Sequence, residues 1–205
     1  MLKKIINKIK YKLFLKWNKL RLKNKDFTIL VNNCTGGIIY HELGLRFNSP
    51  TINVGIKHND FLNFVKHLKE YKDNEMIEIK EKGINYPIGK LINKKYGDIK
   101  LYFQHYNPFE EAKEKWFKRY NRINYDNLYV ILDFGPKLDN NIYKKFTKLN
   151  IKNKISLVPV GFNGNFCKSL SCYNDSWHPG QSLEVNPKTG LRYLHEWDYI
   201  DFLNK

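Results

Sequence analysis

The hydrophobic pattern of this chain of 205 residues changes between two periods, which predict strands and helices that alternate. Short apolar runs predict strands over Phe27–Asn33, Thr51–Ile56, Met76–Lys80, Ile99–His105, Leu128–Phe134 and Ile155–Val160. Apolar residues three or four positions apart predict helices over Gly36–Gly44, Asp60–Tyr71, Phe109–Ile123 and Asn140–Leu149. This alternation predicts an α/β fold of three layers, in which helices cover both faces of a largely parallel sheet.

The pattern changes after Gly161, where turn residues become frequent. Residues 161–205 predict an irregular, β-rich extension. In it, Leu183–Asn186 and Leu191–Trp197 are expected to pair as a hairpin, and Asp198–Asn204 to form a short helix. We therefore expect a single α/β domain over residues 26–205, with its core in residues 26–160.

Residues 1–25 have the pattern of an amphipathic helix that precedes this domain. The apolar residues that fall within an arc of roughly 120° on a helical wheel are Leu2, Ile5, Ile6, Ile9, Leu13, Trp17 and Leu20. Lysines flank that arc, and Trp17 has the position of an interfacial aromatic residue. Such a helix binds the surface of an anionic membrane, or it packs its apolar face on its own domain. Binding to nucleic acid is a third and less favoured interpretation.

The charge of the chain is concentrated in the same segment. The formal net charge is +16, and residues 1–25 contain ten basic residues and no acidic one. No apolar run approaches the length of about 18 residues that spans a bilayer, and lysines interrupt the apolar core that a secretory signal requires. We expect a cytoplasmic protein, peripheral at the inner face of the cytoplasmic membrane, whose three cysteines agree with a reducing compartment. Nucleic acid is not an expected partner, because the rest of the chain has no module that binds it.

The candidate site is Asn32-Asn33-Cys34-Thr35-Gly36-Gly37, between the first predicted strand and helix. A strand, a glycine-bearing turn and a helix start direct backbone N–H groups to one spot, where they can bind an anion such as a phosphate. Small residues on both sides of Cys34 are also typical of a nucleophile at such a turn. The helix dipole would lower the pKa of this thiol, and His105 would serve as its base. Alternatively, Cys34 is a small buried residue without chemistry.

Further side chains are candidates for the same chemistry. Asp133 ends a buried strand and is a candidate base. Arg119 and Arg122 lie three residues apart on one predicted helix, where they could hold a phosphate or simply form a solvated helix end. Tyr106 could stack on a sugar, although aromatic residues at such positions more often belong to the core.

The sequence predicts neither a metal site nor a cofactor. Cys167, Cys172 and His178 are spaced poorly for zinc and lack a fourth ligand. No pair of carboxylates in an Asp-x-Asp arrangement appears, although many nucleotide-sugar transferases use one to hold a divalent cation.

Several segments resemble a bacterial family of unknown function that is associated with exopolysaccharide and capsule biosynthesis. They are Asn32–Gly37, Gly44–Thr51, Tyr86–Leu91, His105-Tyr106, Glu111–Trp116, Arg119 and Arg122–Asn124, which together cover about residues 26–160. The resemblance implies a pathway rather than a reaction. The expected substrate-binding residues are Asn32, Asn33, Thr35, Gly36, Gly37, Asn48, Ser49, Tyr106, Arg119 and Arg122.

The leading hypothesis is therefore a membrane-associated enzyme of surface polysaccharide biosynthesis. It would be a transferase that acts on a lipid-linked glycan with a phosphate-bearing donor, such as a nucleotide-sugar-like ligand, and residues 1–25 would hold it at the anionic inner leaflet. One alternative is an acyltransferase or hydrolase that depends on Cys34. Another is a glycan-binding or scaffold protein without catalysis.

Overall fold

The computed structural model describes residues 2–205, with side chains from Ile5 onward. The helices of the described chain are α1 (Leu2–Arg21), α2 (Thr35–Leu43), α3 (His58–Lys66), α4 (Phe109–Tyr120), α5 (Asn140–Thr147) and α6 (Tyr199–Leu203). The strands are β1 (Thr28–Val31), β2 (Met76–Ile79), β3 (Ile88–Leu91), β4 (Ile99–Tyr102), β5 (Leu128–Asp133), β6 (Asn153–Pro159) and β7 (Cys167–Leu170). The mixed α/β class predicted from the hydrophobic pattern is confirmed.

Four of the strands form a parallel sheet in the order β1-β5-β6-β7. Successive residues of β1 alternate between two apolar clusters on the two faces of this sheet. Leu30 packs with residues of α3, α4 and α5, whereas Ile29 and Val31 pack with residues of α2 and α6. Because both faces are buried, the strands read as continuous apolar runs, and this is why β1, β5 and β6 could be predicted.

The other three strands form a separate antiparallel sheet in the order β2-β3-β4. A single, largely parallel sheet was expected, and no strand was predicted between Met76–Lys80 and Ile99–His105. Instead β3 pairs with β2 on one side and with β4 on the other, with Ile88 opposite Ile79 and Tyr102. Met76, Leu91 and Leu101 bury this sheet in the cluster that contains α3 and α4.

The segment predicted as a strand over Thr51–Ile56 forms turns, apart from a single antiparallel bridge between Gly55 and Tyr102. Its apolar residues alternate because Ile52 enters one core cluster while Val54 and Ile56 enter the other. Asn53 has a positive φ of 58°, which interrupts the extended backbone. The alternation of buried side chains therefore arises here without continuous pairing to another strand.

The C-terminal extension is less β-rich than expected. The turn at Pro187–Gly190 is present, but the segments around it form no ladder beyond the bridge between Val185 and Arg192. A 3₁₀ turn over Tyr193–Glu196 lies where the second hairpin strand was predicted. The strand of the extension is β7, which was not predicted. It lies at the edge of the parallel sheet, and its middle residues Lys168 and Ser169 are exposed, so it lacks an apolar run.

Helix α1 packs on the domain through the face opposite its apolar arc. Phe14 contacts the ring of His195, with centroids 4.7 Å apart, and the Asn18 amide donates to the Tyr199 hydroxyl at 3.4 Å. Arg21 pairs with Asp198 and Asp201. The apolar residues of the arc stay 51–71% exposed, namely Ile5, Ile6, Ile9, Leu13, Trp17 and Leu20. The domain therefore does not cover the apolar face of this helix.

A buried carboxylate on α2 links α1 to the C-terminal extension. Glu42, 3% exposed, accepts hydrogen bonds from Tyr11 of α1, from Arg192 Nε at 2.9 Å, from His195 Nε2 at 2.8 Å and from the Tyr199 hydroxyl at 3.1 Å. Burial alone would raise the pKa of Glu42, but the bonds and charges of His195, Tyr11 and Arg192 hold it below its ordinary value. The ionised carboxylate is thus the state that the fold stabilises.

None of the helices in residues 2–205 combines the length and the apolar character needed to cross a bilayer.

Candidate functional site

The loop between β1 and α2 is fixed by two asparagine side chains. Asn32 continues the pairing of β1 with β5, because its amide nitrogen donates to the Asp133 carbonyl at 2.9 Å and its amide oxygen accepts from the Asp133 N–H at 2.8 Å. Asn33 accepts from the Thr35 N–H at 3.0 Å and donates to the Asp133 carboxylate at 2.7 Å. The loop and the end of β5 therefore form one rigid unit.

The Asp133 carboxylate lies at the centre of this unit. One oxygen accepts from the Tyr173 hydroxyl at 2.5 Å and from the Gly135 N–H at 3.0 Å, and the other accepts from Asn33. Burial raises the pKa of Asp133, while these donors act in the opposite direction. Burial raises the pKa of the Tyr173 hydroxyl, and the charge of the Asp133 carboxylate raises it further. With its oxygens already bonded, Asp133 is better placed to hold Asn33 and Tyr173 than to take a proton from a substrate.

A histidine that the sequence analysis overlooked completes this arrangement. His58 is the first residue of α3, and its Nε2 lies 3.0 Å from the Asp133 carbonyl oxygen. A carbonyl only accepts, so Nε2 carries the hydrogen and the neutral ring has an unprotonated Nδ1. The ring also packs against Phe134, with centroids 5.1 Å apart. His58 therefore offers a proton acceptor on a fixed ring.

These side chains line a cavity of about 540 Å³ at the carboxyl ends of β1 and β5. Among its lining residues are Asn33, Cys34, His58, His105, Asp133 and Trp177. Ligands of α/β proteins bind at this end of a parallel sheet. A cavity of this size, into which a small number of polar groups converge, is typical of a small-molecule site.

Cys34 faces this cavity from the start of α2. It occupies the position before α2, its side chain makes no capping hydrogen bond, and burial raises the pKa of its thiol. This loss of hydration acts against the lowering that was expected from the helix dipole. His105 lines the same cavity and is exposed at its mouth.

Gly36 and Gly37 do not line the cavity; they allow close packing. A Cβ atom on Gly36 would lie 2.8 Å from Val31 Cγ1, and one on Gly37 would lie 2.7 Å from Asn53 Oδ1. Both residues are buried inside α2. Thr35 is fully buried as well, and its hydroxyl has no partner among the described residues. The space that a side chain would need at either glycine is thus filled by protein atoms.

The other predicted residues lie outside the cavity. The Asn48 carbonyl accepts from the Thr28 hydroxyl of β1, and the Ser49 hydroxyl contacts that of Thr51. Tyr106 is 8% exposed and donates to the Ile52 carbonyl, which makes it a core residue. The predicted residues that the structure brings together at the cavity are Asn32, Asn33, Cys34, His105 and Asp133, and those of a second, separate pocket are Arg119 and Arg122.

Three residues at or beside the cavity were not predicted from the sequence: His58, Tyr173 and Trp177. His58 lies two residues beyond the predicted strand Thr51–Ile56. Because ligands bind beyond strand ends, that position could have marked His58 as a candidate site residue. Tyr173 and Trp177 lie in the turn-rich extension, where no period shows which side chains turn inward. A larger cavity of about 610 Å³ lies between α3 and α5, but no histidine, cysteine or carboxylate lines it. No group of three or more His, Cys, Asp or Glu side chains in the described chain is arranged to hold a metal ion.

Comparison with known proteins places the chain in a family. A Haemophilus influenzae protein that bears the name "Uncharacterized protein" is 28% identical over 188 residues, which are 90% of this chain and 87% of that protein. A family model described as "Domain of unknown function (DUF1919)" matches residues 5–204. The match includes α1 and the C-terminal extension, which the resemblance found in the sequence did not reach. The chain therefore belongs to the family of the domain of unknown function DUF1919.

Proposed function

We propose that this protein is a membrane-associated enzyme of exopolysaccharide or capsule biosynthesis. It would be a transferase that acts on a lipid-linked glycan with a phosphate-bearing donor, at the inner face of the cytoplasmic membrane. The observation that carries the proposal is the exposed apolar face of α1 on a helix that is otherwise bonded to the domain. The cavity beside Asp133 supports it with a place for the chemistry.

The charge around the apolar face favours a membrane over a second copy of the chain. Lys8, Lys12, Lys16 and Lys19 are exposed on the same helix, and residues 1–25 contain no acidic residue. Two such faces packed together would bring like charges close, whereas an anionic lipid surface neutralises them. Each basic residue near such a surface contributes about 1 kcal/mol, and the apolar side chains add their transfer into the headgroup region.

The cavity contains the groups that a transferase needs for its proton transfer. In such a reaction the acceptor hydroxyl gives its proton to a base while its oxygen bonds to the transferred group. The phosphate then leaves with the electron pair of the broken bond. His58 Nδ1 is the favoured base because its ring is fixed by the Asp133 carbonyl, and His105 is the second candidate. Asn33 and the indole of Trp177 would orient the sugar.

Co-sedimentation with vesicles tests the membrane half of the proposal. We expect the full chain to bind phosphatidylcholine vesicles that contain phosphatidylglycerol, and to bind pure phosphatidylcholine much less. Leu13→Glu combined with Leu20→Glu should abolish binding while the protein stays folded, because both side chains are more than 60% exposed. Lys94→Gln is the control, since it removes one positive charge at an exposed position far along the chain from α1.

The polysaccharide half is tested in the bacterium that encodes the chain. Deleting the gene should reduce surface polysaccharide, and the wild-type gene should restore it. His58→Gln should fail to restore it at an unchanged protein level, whereas Lys94→Gln should restore it. Normal polysaccharide in the deletion strain would contradict the assignment to this pathway, whatever the vesicle result.

The alternative that depends on Cys34 keeps one supporting observation, namely that Cys34 and His105 line the same cavity. The raised pKa of the thiol weighs against it. Cys34→Ser separates the two proposals, because it would stop acyl transfer but leave a transferase that uses His58 largely active.

A further inference from the structure

A second pocket, separate from the cavity beside Asp133, is formed almost entirely by basic side chains. It has a volume of about 380 Å³ and lies between the second half of α4 and residues 45–47. Its basic lining residues are Arg46, Lys115, Lys118, Arg119 and Arg122. It shares no lining residue with the cavity beside Asp133.

Two of the guanidinium groups are fixed in place. Arg119 Nη1 donates to the Tyr106 hydroxyl at 2.6 Å and to the Ile52 carbonyl at 3.4 Å, and the guanidinium lies 5.3 Å from the centroid of the Phe47 ring. Arg122 Nη1 donates to the Phe47 carbonyl at 3.2 Å. Each bond uses one nitrogen of the guanidinium and leaves the other terminal nitrogen for a ligand.

The positive charge of the pocket is not balanced by the described protein. Lys115 pairs with Glu111, but no ion pair within residues 5–205 involves Arg46, Lys118, Arg119 or Arg122. Burial, followed by the charges of Arg46 and Arg119, lowers the pKa of Arg122, as expected where cations repel one another. A bound anion would relieve this repulsion.

Arginines near a helix end often only offset the helix dipole. Here the bonds of Arg119 and Arg122 go to residues 52, 106 and 47, none of which is a carbonyl of the last turn of α4. The dipole therefore does not explain why both groups are held toward one pocket.

We propose that this basic pocket is a binding site for a phosphate dianion, as a phosphate monoester or a pyrophosphate. Planar guanidinium forks match phosphate oxygens in pairs, and four unbalanced cations favour a dianion over a carboxylate. The site stands on its own residues, so it would remain even if the proposed transferase activity failed.

The phosphate can come from a soluble molecule or from a lipid headgroup. The pocket lies next to α1. Gly44 directly precedes residues 45–47, and Lys19 Nζ of α1 lies 3.3 Å from the place that a Cβ atom on Gly44 would occupy. A headgroup at a membrane bound by α1 would therefore be close. Both sources present the same oxygens, and the experiment separates them.

Titration calorimetry of the full chain with sodium pyrophosphate tests the soluble source. Arg46→Gln and Arg122→Gln should each weaken binding about tenfold, the loss typical of one charged hydrogen-bonding partner. Arg46 makes no described bond and is exposed, so its replacement should not affect folding. Lys94→Gln, with the same change in charge, should bind pyrophosphate like the wild type.

Vesicles test the lipid source. Phosphatidic acid presents a phosphate monoester, whereas phosphatidylglycerol presents a diester. We expect wild-type protein to prefer phosphatidic acid at equal lipid charge if the source is a headgroup, and Arg46→Gln to lose that preference while still binding through α1. The proposal requires that at least one of the two ligands, pyrophosphate or phosphatidic acid, binds more weakly to both arginine variants than to Lys94→Gln. If neither ligand does so, the proposal is overturned.

Discussion

At the scale of single residues, the thiol of Cys34 offers the clearest prediction. Because burial raises its pKa, Cys34 should react with iodoacetamide at pH 7 more slowly than glutathione does. Its rate should then rise about tenfold per pH unit up to its pKa. Peptide mass spectrometry after timed labelling measures the rate for each cysteine separately. A Cys34 rate above that of glutathione would contradict the raised pKa and would revive the acyl-transfer alternative.

Glu42 offers a second prediction, which concerns stability. Glu42→Gln should lower the free energy of unfolding by about 3 kcal/mol, because Arg192 would lose the carboxylate that balances its charge. Asp201→Asn is the matched control. It removes a carboxylate that is 73% exposed and should cost less than about 1 kcal/mol. Urea unfolding at pH 7 measures both, and equal losses would contradict the role given to Glu42.

The pKa of Glu42 also predicts how stability depends on pH. Its pKa is lower in the folded chain, so the unfolded chain binds more protons as the pH falls. The stabilisation from Glu42 is complete above the ordinary pKa of glutamate and is lost as the pH falls through the folded value. Wild-type protein should therefore lose more stability than Glu42→Gln when the pH is lowered below about 4. Parallel acid losses in the two proteins would be the opposite result.

At the scale of elements, the contact between α2 and β1 depends on a missing side chain. Gly36→Ala would place a methyl group 2.8 Å from Val31 Cγ1, so it should cost about 1–3 kcal/mol by overpacking. Val31→Ala should also destabilise the protein, by leaving a cavity. The double variant should lose less than the sum of both, because each change makes room for the other. Strict additivity in urea unfolding would show that α2 shifts instead.

The elements that the sequence predicted are those whose burial determines their composition. β5 and β6 lie inside the parallel sheet with both faces covered, so their apolar runs are unmistakable. β3 was not among the predicted strands, because Pro87 and Gly89 are turn residues. Yet Gly89 lies there because a Cβ atom would meet Phe103 at 2.8 Å. A contact of that kind depends on the final packing, so it produces no periodic pattern in the sequence.

The site was predicted only as far as strand ends could be recognised. Asn33 and Asp133 follow adjacent parallel strands, so their meeting follows from the fold class. The sequence pattern alone could not decide the roles of Gly36 and Gly37. A loop that binds an anion and a helix that packs closely on a strand both require glycine. Tyr173 reaches Asp133 across 40 residues, from a segment without secondary structure of its own.

At the scale of the whole molecule, α1 is both part of the domain and a surface that the domain leaves uncovered. Leu22, just past its end, is 5% exposed in the core, and the Asn24 amide donates to the Tyr129 hydroxyl at 3.2 Å. Tyr11 contributes one of the bonds to Glu42. Removing residues 1–25 would therefore take away core contacts together with the apolar face, and loss of vesicle binding by that variant would not identify the cause.

Deleting residues 1–25 and replacing leucines on the exposed face of α1 should affect the stability of the protein differently. Deleting residues 1–25 should lower the free energy of unfolding by several kcal/mol, since a buried leucine alone contributes about 1.5–3 kcal/mol. Leu13→Glu with Leu20→Glu should change it by no more than about 0.5 kcal/mol per site, because these side chains already face solvent. Urea midpoints of the three proteins, measured without lipid, decide the matter. If the deletion left the midpoint unchanged, the contacts of Leu22, Asn24 and Tyr11 would contribute nothing to the fold, and α1 would be an appendage whose only role is at the membrane.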